Sequence, residues 1–117
     1  MGAPVVWFEV AGRNLDTLKQ FYGDLFDWKV DADNPAAYGM VETGGEGGIP
    51  GGIFATDDAE YVTFYVDVPD LEARLKKAEK LGAKVLQPPT PTMPGGPTVA
   101  SIQDPEGHRI GLLQQPS

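Results

Sequence analysis

Short runs of apolar residues alternate along the chain with longer segments whose apolar positions recur at helical spacing. The runs VVWFEV (5–10) and YVTFYVDV (61–68) are rich in β-branched and aromatic residues, which predicts two strands. An amphipathic segment follows each run, predicting helices over about 14–25 and 70–82, with Asn and Asp as the respective N-terminal caps. The predicted buried stripes are Leu15, Leu18, Phe21, Tyr22 and Leu25 in the first helix, and Leu71, Leu75, Ala78 and Leu81 in the second.

The order strand, helix and about three further strands occurs twice, which predicts an internal repeat. An offset of 56 residues superposes WFEV (7–10) on TFYV (63–66) and Leu25 on Leu81. Element order and register agree, so the fold class predicted is α+β, with two βαβββ repeats forming curved mixed sheets around a groove. The remaining strands are predicted over Trp28–Asp33, Ala37–Glu42, Gly52–Ala55, Lys84–Gln87, Thr98–Gln103 and Arg109–Gln114. The two repeats span about residues 4–56 and 60–115 of a single domain.

Strand alternation assigns one face of each first strand to the helix and the other to the groove. The uniformly apolar sets, assigned to the helix, are Val6, Phe8 and Val10 in the first strand and Val62, Phe64 and Val66 in its repeat mate. The opposite sets mix aromatic rings, a hydroxyl and carboxylates, which is typical of a ligand-lined concave surface. They are Val5, Trp7 and Glu9 in the first repeat and Tyr61, Thr63, Tyr65 and Asp67 in the second.

Composition narrows the classes of function. The 117 residues are 41% apolar and 22% charged, as in ordinary soluble globular proteins. The absence of cysteine excludes disulfides, zinc ribbons, iron–sulfur clusters and thiol nucleophiles, and a single histidine, His108, excludes any site that needs two from one chain. A net charge of −8 argues against a nucleic acid or an anionic membrane as partner. The first residues have neither a basic region nor a long apolar run, so a cytoplasmic location is predicted.

Four segments carry a resemblance to a known family, the first of them VVWFEV (5–10). LKQFYGDLFDWKV (18–30) resembles the FY…FGW pattern of the vicinal oxygen chelate superfamily, which includes glyoxalase I, extradiol dioxygenases and the bleomycin and fosfomycin resistance proteins. Residues 61–85 and the IQDPEGHRIGLLQ segment (102–114) resemble its second half. The resemblance covers nearly the whole chain and implies the same paired-repeat fold. One departure is Asp27, where the family commonly has glycine.

Metal-dependent members of that superfamily place four His and Glu ligands on groove-facing strands. Carried over to this chain, the positions fall on Trp7, on Thr63, on Gly111 and near Gly51–Ala55. Tryptophan does not coordinate, glycine has no donor and threonine is a poor neutral ligand. We therefore expect no metal and no other cofactor, and we expect the Trp7 ring to stack on a ligand instead.

Glu9 and Tyr65 are the candidate catalytic residues. Glu9 is a general base desolvated beside aromatic rings, a solvated carboxylate at the groove mouth, or a carboxylate paired across a dimer interface. Tyr65 is either a hydrogen-bond donor or acid, or part of the groove wall. Thr63 is a modest hydrogen-bonding candidate, and Gly111 belongs to the predicted ligand-binding set.

Other segments supply candidate contacts or structural features. Met40 and Tyr38, which alternate on the third predicted strand, are expected to line the groove floor, with core packing as the equal alternative. The glycine-rich 44–52 stretch is a predicted flap or dimer contact, and the proline-rich 88–97 stretch a stiffened lid whose Met93 contacts the ligand. His108 ends a DPEG turn, where we expect a structural role.

Two functions remain open from the sequence. The favoured one is a metal-independent small-molecule-binding protein like the bleomycin-resistance branch of antibiotic resistance proteins, with a small organic, cationic ligand attracted by the −8 charge. The alternative is a lyase, isomerase or epimerase of the same superfamily, glyoxalase-like, that uses Glu9 as general base. A homodimer is expected in either case, with an exposed apolar edge predicted around Ile49, Ile53 and Phe54.

Overall fold

The protein, described by a computed structural model for residues 2–116, has the predicted element order, βαβββ twice over. This confirms the α+β fold class and the two repeats. The first repeat consists of β1 (Val5–Gly12), α1 (Leu15–Phe26), β2 (Lys29–Asp31), β3 (Gly39–Glu42) and β4 (Gly51–Ala55). The second consists of β5 (Tyr61–Asp67), α2 (Leu71–Lys80), β6 (Lys84–Pro91), β7 (Thr98–Gln103) and β8 (Arg109–Gln114).

Both helices begin at the predicted caps. The Asn14 side chain accepts the backbone N–H of Thr17 at 2.9 Å, and the Asp70 side chain accepts that of Ala73 at 3.1 Å. These bonds satisfy amide groups that the first helical turn leaves without an intrahelical partner. After α2, Gly82 takes a φ of 102°, the left-handed conformation that ends many helices.

One strand is longer than predicted. β6 continues through Pro91, so the predicted loop over 88–97 is wrong for its first four residues. Prolines are tolerated there because β6 forms the end of its sheet and its register to β7 shifts twice, between Val85 and Gln87 and between Gln87 and Thr90. Only residues 92–97 remain as a connection between β6 and β7.

The described chain forms two compact units, one of residues 7–63 and the other of residues 64–116 together with 2–6. In the N-terminal unit the strand order is β2-β3-β4-β1, with β1 and β4 parallel and the other pairs antiparallel. Its core consists of Val10, Val41 and Ile53, against which Phe8, Leu15, Leu18, Tyr22, Trp28 and Val30 pack.

In the C-terminal unit the strand order is β5-β8-β7-β6, with β5 and β8 parallel and the other pairs antiparallel. Its core consists of Val68, Leu71, Leu75, Ala100 and Leu112, with Val66, Val85 and Ile102 packed against it. Each core lies between a helix and one face of its sheet.

Several apolar residues expected in the cores are exposed instead. Phe21 and Leu25 on α1 expose 55% and 56% of their surface, because Trp28 fills this end of the core, 5.4 Å from the Tyr22 ring centroid. On β5, Val62 is 74% exposed and Phe64 is also exposed. The reason is that α2 packs mainly on β6, β7 and β8 rather than on β5.

The predicted exposed edge around Ile53 is wrong. Ile53 is fully buried, since β4 lies between β3 and β1 and Ile53 is in register with Val10 on one side and Gly39 on the other. Ile49 and Phe54 are partly exposed.

Candidate functional site

Trp7 and Glu9 project from β1 on the face opposite the helix, as strand alternation predicted. Phe8 and Val10, which alternate with them, pack in the core with α1. Glu9 is only 7% exposed. A buried carboxylate of this kind needs hydrogen-bond donors to offset the loss of water.

Two tyrosine hydroxyls supply those donors. The Tyr38 hydroxyl donates to Glu9 Oε2 at 2.8 Å, and the Tyr61 hydroxyl donates to Glu9 Oε1. Hydrogen bonds to a charged acceptor are stronger than those between neutral groups. The Glu9 carboxylate therefore fixes the positions of two phenol rings that come from different segments of the N-terminal unit.

Tyr38 is held from three sides. Its hydroxyl accepts a hydrogen bond from Trp7 Nε1 at 3.1 Å, so one oxygen links the indole to the Glu9 carboxylate. Its backbone is clamped by the Asn34 side chain, which accepts the Tyr38 N–H at 3.0 Å and donates to the Tyr38 carbonyl at 2.7 Å. Its ring lies against the backbone of Gly52, where a Cβ would overlap it.

An aromatic ring completes this network. Phe54 stacks on Tyr38 with ring centroids 5.6 Å apart and meets Tyr61 edge-on at 6.3 Å. Neither Phe54 nor Asn34 was predicted to belong to the site. Strand alternation predicted that Tyr61 lies on the groove-facing side of its strand. Phe54 was predicted only as part of a dimer contact.

A cavity of about 460 Å³ opens beside this network in the N-terminal unit. Trp7 and Met40, predicted separately as ligand contacts, both line it. The complete lining is Trp7, Lys29, Val30, Asp31, Met40, Val41, Glu42 and Pro50. The volume lies in the usual range for small-molecule sites, roughly 300–1,000 Å³.

The remaining candidates lie elsewhere. Thr63, at the end of the N-terminal unit, is buried. In the C-terminal unit, Tyr65 is 6% exposed and its ring covers Gly111, with which it is in register. Met93 is exposed in the connection after β6. Roles for these residues in ligand binding stay predictions.

His108 has the structural surroundings predicted for a turn. Asp104 accepts the His108 backbone N–H at 2.9 Å, its Oδ2 lies 2.9 Å from His108 Nδ1, and it also accepts the Glu106 N–H. These contacts, the His108 backbone bond above all, lower the pKa of Asp104 below its ordinary value of 3.8. Asp104 thus caps its own turn as a carboxylate.

The residues at the family's metal positions do not fit a metal. Trp7 donates its only nitrogen proton to Tyr38, and Gly111 lies under the Tyr65 ring. Gly51 lies against the Phe8 ring and Gly52 under Tyr38, so no ligating side chain has room at either position. Within residues 2–116, no group of three or more His, Asp or Glu side chains is placed to hold a metal ion.

Residues 7–113 match the family model of the glyoxalase-like domain, and the chain belongs to that family. Among curated proteins, none matches the sequence at a significant level. The family match and the fold confirm the resemblance seen in the sequence.

Solved structures share the fold at low identity. Methylmalonyl-CoA epimerase from Mycobacterium tuberculosis is 14% identical, with 97% of this chain and 88% of that chain covered and a TM-score of 0.69. A hypothetical protein from Bacillus halodurans is 14% identical, covering 100% and 97%, with a TM-score of 0.73. A glyoxalase/bleomycin resistance protein/dioxygenase superfamily member from Vibrio splendidus is 16% identical, covering 97% and 100%, with a TM-score of 0.69.

Within residues 2–116, neither helix is long and apolar enough to cross a membrane.

Proposed function

We propose that the protein binds a small cationic organic molecule with an aromatic portion, without a metal, in the cavity beside Trp7. The observation that carries this proposal is the composition of the cavity wall. Trp7, Met40 and Pro50 provide apolar surface, and Asp31 and Glu42 provide two carboxylates against one cation, Lys29. An aromatic face with nearby negative charge attracts organic cations by cation–π and Coulomb interactions. The net charge of −8 adds long-range attraction.

In this proposal Glu9 is a positioning residue that acts through Tyr38. The hydrogen bonds from Trp7 to Tyr38 and from Tyr38 to Glu9 hold the indole ring in one orientation before a ligand arrives. A site held in its bound conformation loses less side-chain entropy on binding. Removing the Glu9 charge should therefore weaken binding modestly, whereas removing the Trp7 ring should remove the contact surface itself.

The test is calorimetric titration with 1-methylquinolinium and with its uncharged analogue 1-methyl-2-quinolone. We expect the cation to bind at least several-fold more tightly than the neutral analogue. Trp7→Ala should reduce affinity for the cation about tenfold or more, and Met40→Ala several-fold. Glu42→Gln should weaken binding of the cation but not of the neutral analogue, whereas Glu46→Gln, outside the cavity wall, should have little effect on either affinity. Equal binding of both probes, or unchanged binding by Trp7→Ala, would overturn the proposal.

Fluorescence gives an independent reading of the same site. The second tryptophan, Trp28, packs against Phe8 and Tyr22 in the core. In a Trp28→Phe background the emission comes from Trp7 alone, so a ligand in the cavity should change that emission in a saturable manner. The midpoint should agree with calorimetry.

The second candidate function is proton abstraction by Glu9, as in an isomerase or epimerase. It is supported by the direct hydrogen bonds from two tyrosine hydroxyls to a buried carboxylate, a set of groups suited to moving a proton. The test uses methylmalonyl-CoA in D₂O with chelator-treated protein, following loss of the α-proton signal by NMR. Exchange that disappears in Glu9→Gln, while 1-methylquinolinium affinity stays within several-fold, supports catalysis. No exchange by the natural sequence would reject this substrate class. Tyr65→Phe tests separately the role predicted for Tyr65.

A homodimer remains our proposal for the assembly. With Ile53 buried, the predicted contact edge is reduced to Ile49 and Phe54, both partly exposed. Sedimentation velocity at tens of micromolar should give twice the chain mass of 12.5 kDa. A single monomeric species there would contradict the proposal.

A further inference from the structure

A second cavity lies in the C-terminal unit, on the helix-covered face of its sheet. Its volume is about 330 Å³. It forms because α2 packs on β6, β7 and β8 and leaves the neighbouring part of the sheet less covered. Its lining consists of Val66, Val68, Arg74, Lys77, Ala78, Leu81, Ile102, Ile110 and Leu112.

The wall of this cavity has two chemically different parts. The strands, together with Val68 directly after β5, contribute branched aliphatic side chains only, and Leu81, directly after α2, is 69% exposed. The helix contributes two cations, Arg74 and Lys77, which are three residues apart and so share a helix face. Within residues 2–116, neither forms an ion pair.

Positive charge is concentrated at this place in an acidic protein. Of nine basic residues, five lie within 11 positions: Arg74, Lys76, Lys77, Lys80 and Lys84. Lysines near the C-terminal end of a helix also stabilise the helix through its dipole, and this effect is sufficient to explain Lys80. The dipole does not account for an apolar cavity opening beside Arg74 and Lys77.

We propose that this cavity binds an aliphatic carboxylate, with the chain against Val66, Ile102 and Ile110 and the carboxylate against Arg74 and Lys77. An apolar floor favours a hydrocarbon chain, and two neighbouring cations favour a single anionic head over a neutral or cationic one. The inference is independent of the site proposed beside Trp7, since the two cavities share no residue and the ligands have opposite charge.

The test is calorimetric titration of the full chain with hexanoate, octanoate, 1-octanol and octylammonium, all below their micelle concentrations. We expect one saturable site for octanoate, with affinity rising roughly threefold to fourfold per methylene from hexanoate until the cavity is full. Octanol should bind at least several-fold more weakly than octanoate, and octylammonium should not bind. Equal binding of octanol and octanoate would overturn the proposal.

Variants on one helix supply the matched control. Arg74→Gln with Lys77→Gln should reduce octanoate affinity roughly tenfold. Lys76→Gln with Lys80→Gln removes the same amount of charge from the same helix, at positions outside the cavity wall. This double variant should change octanoate affinity less than threefold. Arg74→Lys with Lys77→Arg should restore most of the affinity. Equal losses in both double glutamine variants would indicate general charge attraction and would overturn the site.

Amide NMR locates the ligand if a variant folds poorly. Octanoate should shift the signals of Val66, Ala78 and Ile110 in the natural sequence. Shifts confined to Trp7 and Met40 would place octanoate in the other cavity and would also overturn the proposal.

Discussion

The ring of Tyr38 lies against the backbone of Gly52, and Gly52 is the residue in register with Glu9 across the parallel pair of β1 and β4. The glycine leaves the space through which the Tyr38 hydroxyl reaches the Glu9 carboxylate. In the C-terminal unit Gly111 also lies under a tyrosine ring, but there the ring belongs to Tyr65, the residue in register with Gly111 across β5 and β8. In both repeats a glycine on the last strand therefore accommodates a tyrosine ring.

Gly52→Ala should destabilise the fold and detach Tyr38 from Glu9. A methyl group at position 52 would overlap the Tyr38 hydroxyl and ring, so we expect a loss of about 1–3 kcal/mol in the free energy of unfolding. Urea denaturation measures it. In a Tyr38→Ala background the clash is absent, and Gly52→Ala should then cost much less.

Gly23→Ala is the matched control. Gly23 lies inside α1 with only an ordinary contact to the Trp28 carbonyl, so alanine there should stabilise the protein by about 0.5–1 kcal/mol. If both glycine substitutions had the same effect, or if Gly52→Ala cost as much without Tyr38, the packing of Tyr38 on Gly52 would not be the cause.

Part of the site could be predicted from the sequence because strand alternation is a short-range property. Alternation placed Trp7 and Glu9 on the face away from α1, and Met40 on the cavity wall. The hydrogen bond from Tyr38 to Glu9 could not be predicted. It depends on the bend over residues 32–38, on the Asn34 clamp and on the space at Gly52, which no local pattern encodes.

Asp27→Gly should stabilise the end of α1. Asp27 has a φ of 59°, in the left-handed region where glycine is favoured, and its N–H donates to the Gly23 carbonyl at 2.9 Å. The departure from the family's glycine is therefore a conformational cost. Asp27 also places a negative charge at the negative end of the helix dipole. We expect a gain of about 0.5–1 kcal/mol, measured by urea denaturation.

Two further variants separate the causes at Asp27. Asp27→Asn removes the charge and keeps a side chain that tolerates the left-handed region, whereas Asp27→Ala removes the charge and tolerates that region poorly. The glycine variant should be more stable to urea than the asparagine variant, and the alanine variant should be the least stable of the three. An alanine variant as stable as the glycine variant would show that charge alone matters.

Ser101→Ala should leave stability unchanged or raise it. Ser101 is 1% exposed, and within residues 2–116 its Oγ has no hydrogen-bond partner. A buried polar atom without a partner costs free energy, so its removal should give between about 0 and 1 kcal/mol of added stability. The control is Thr43→Val, which removes a 2.9 Å bond to the Ile49 carbonyl and should cost about 1 kcal/mol. A comparable loss for Ser101→Ala would indicate a buried water bound to Oγ.

The fold itself was largely predictable because local and long-range signals agree. Asn14 and Asp70 cap the helices where predicted, and strands β7 and β8 begin and end at the predicted residues. The errors arise where packing between elements decides. Phe21 and Leu25 have the helical spacing of buried residues, but Trp28 occupies their place in the core.

The carboxyl of Asp104 should titrate below its ordinary value of 3.8 in the folded protein, because the His108 and Glu106 N–H groups and the His108 ring favour its charged form. A folded-state pKa below the unfolded one gives a stabilising contribution that is present above the unfolded pKa and lost as pH falls through the folded pKa. Carboxyl-carbon NMR measures the midpoint. His108→Ala should raise it only partly, since the backbone N–H of residue 108, the largest cause, remains. A full return to 3.8 in that variant would instead assign the effect to the imidazole.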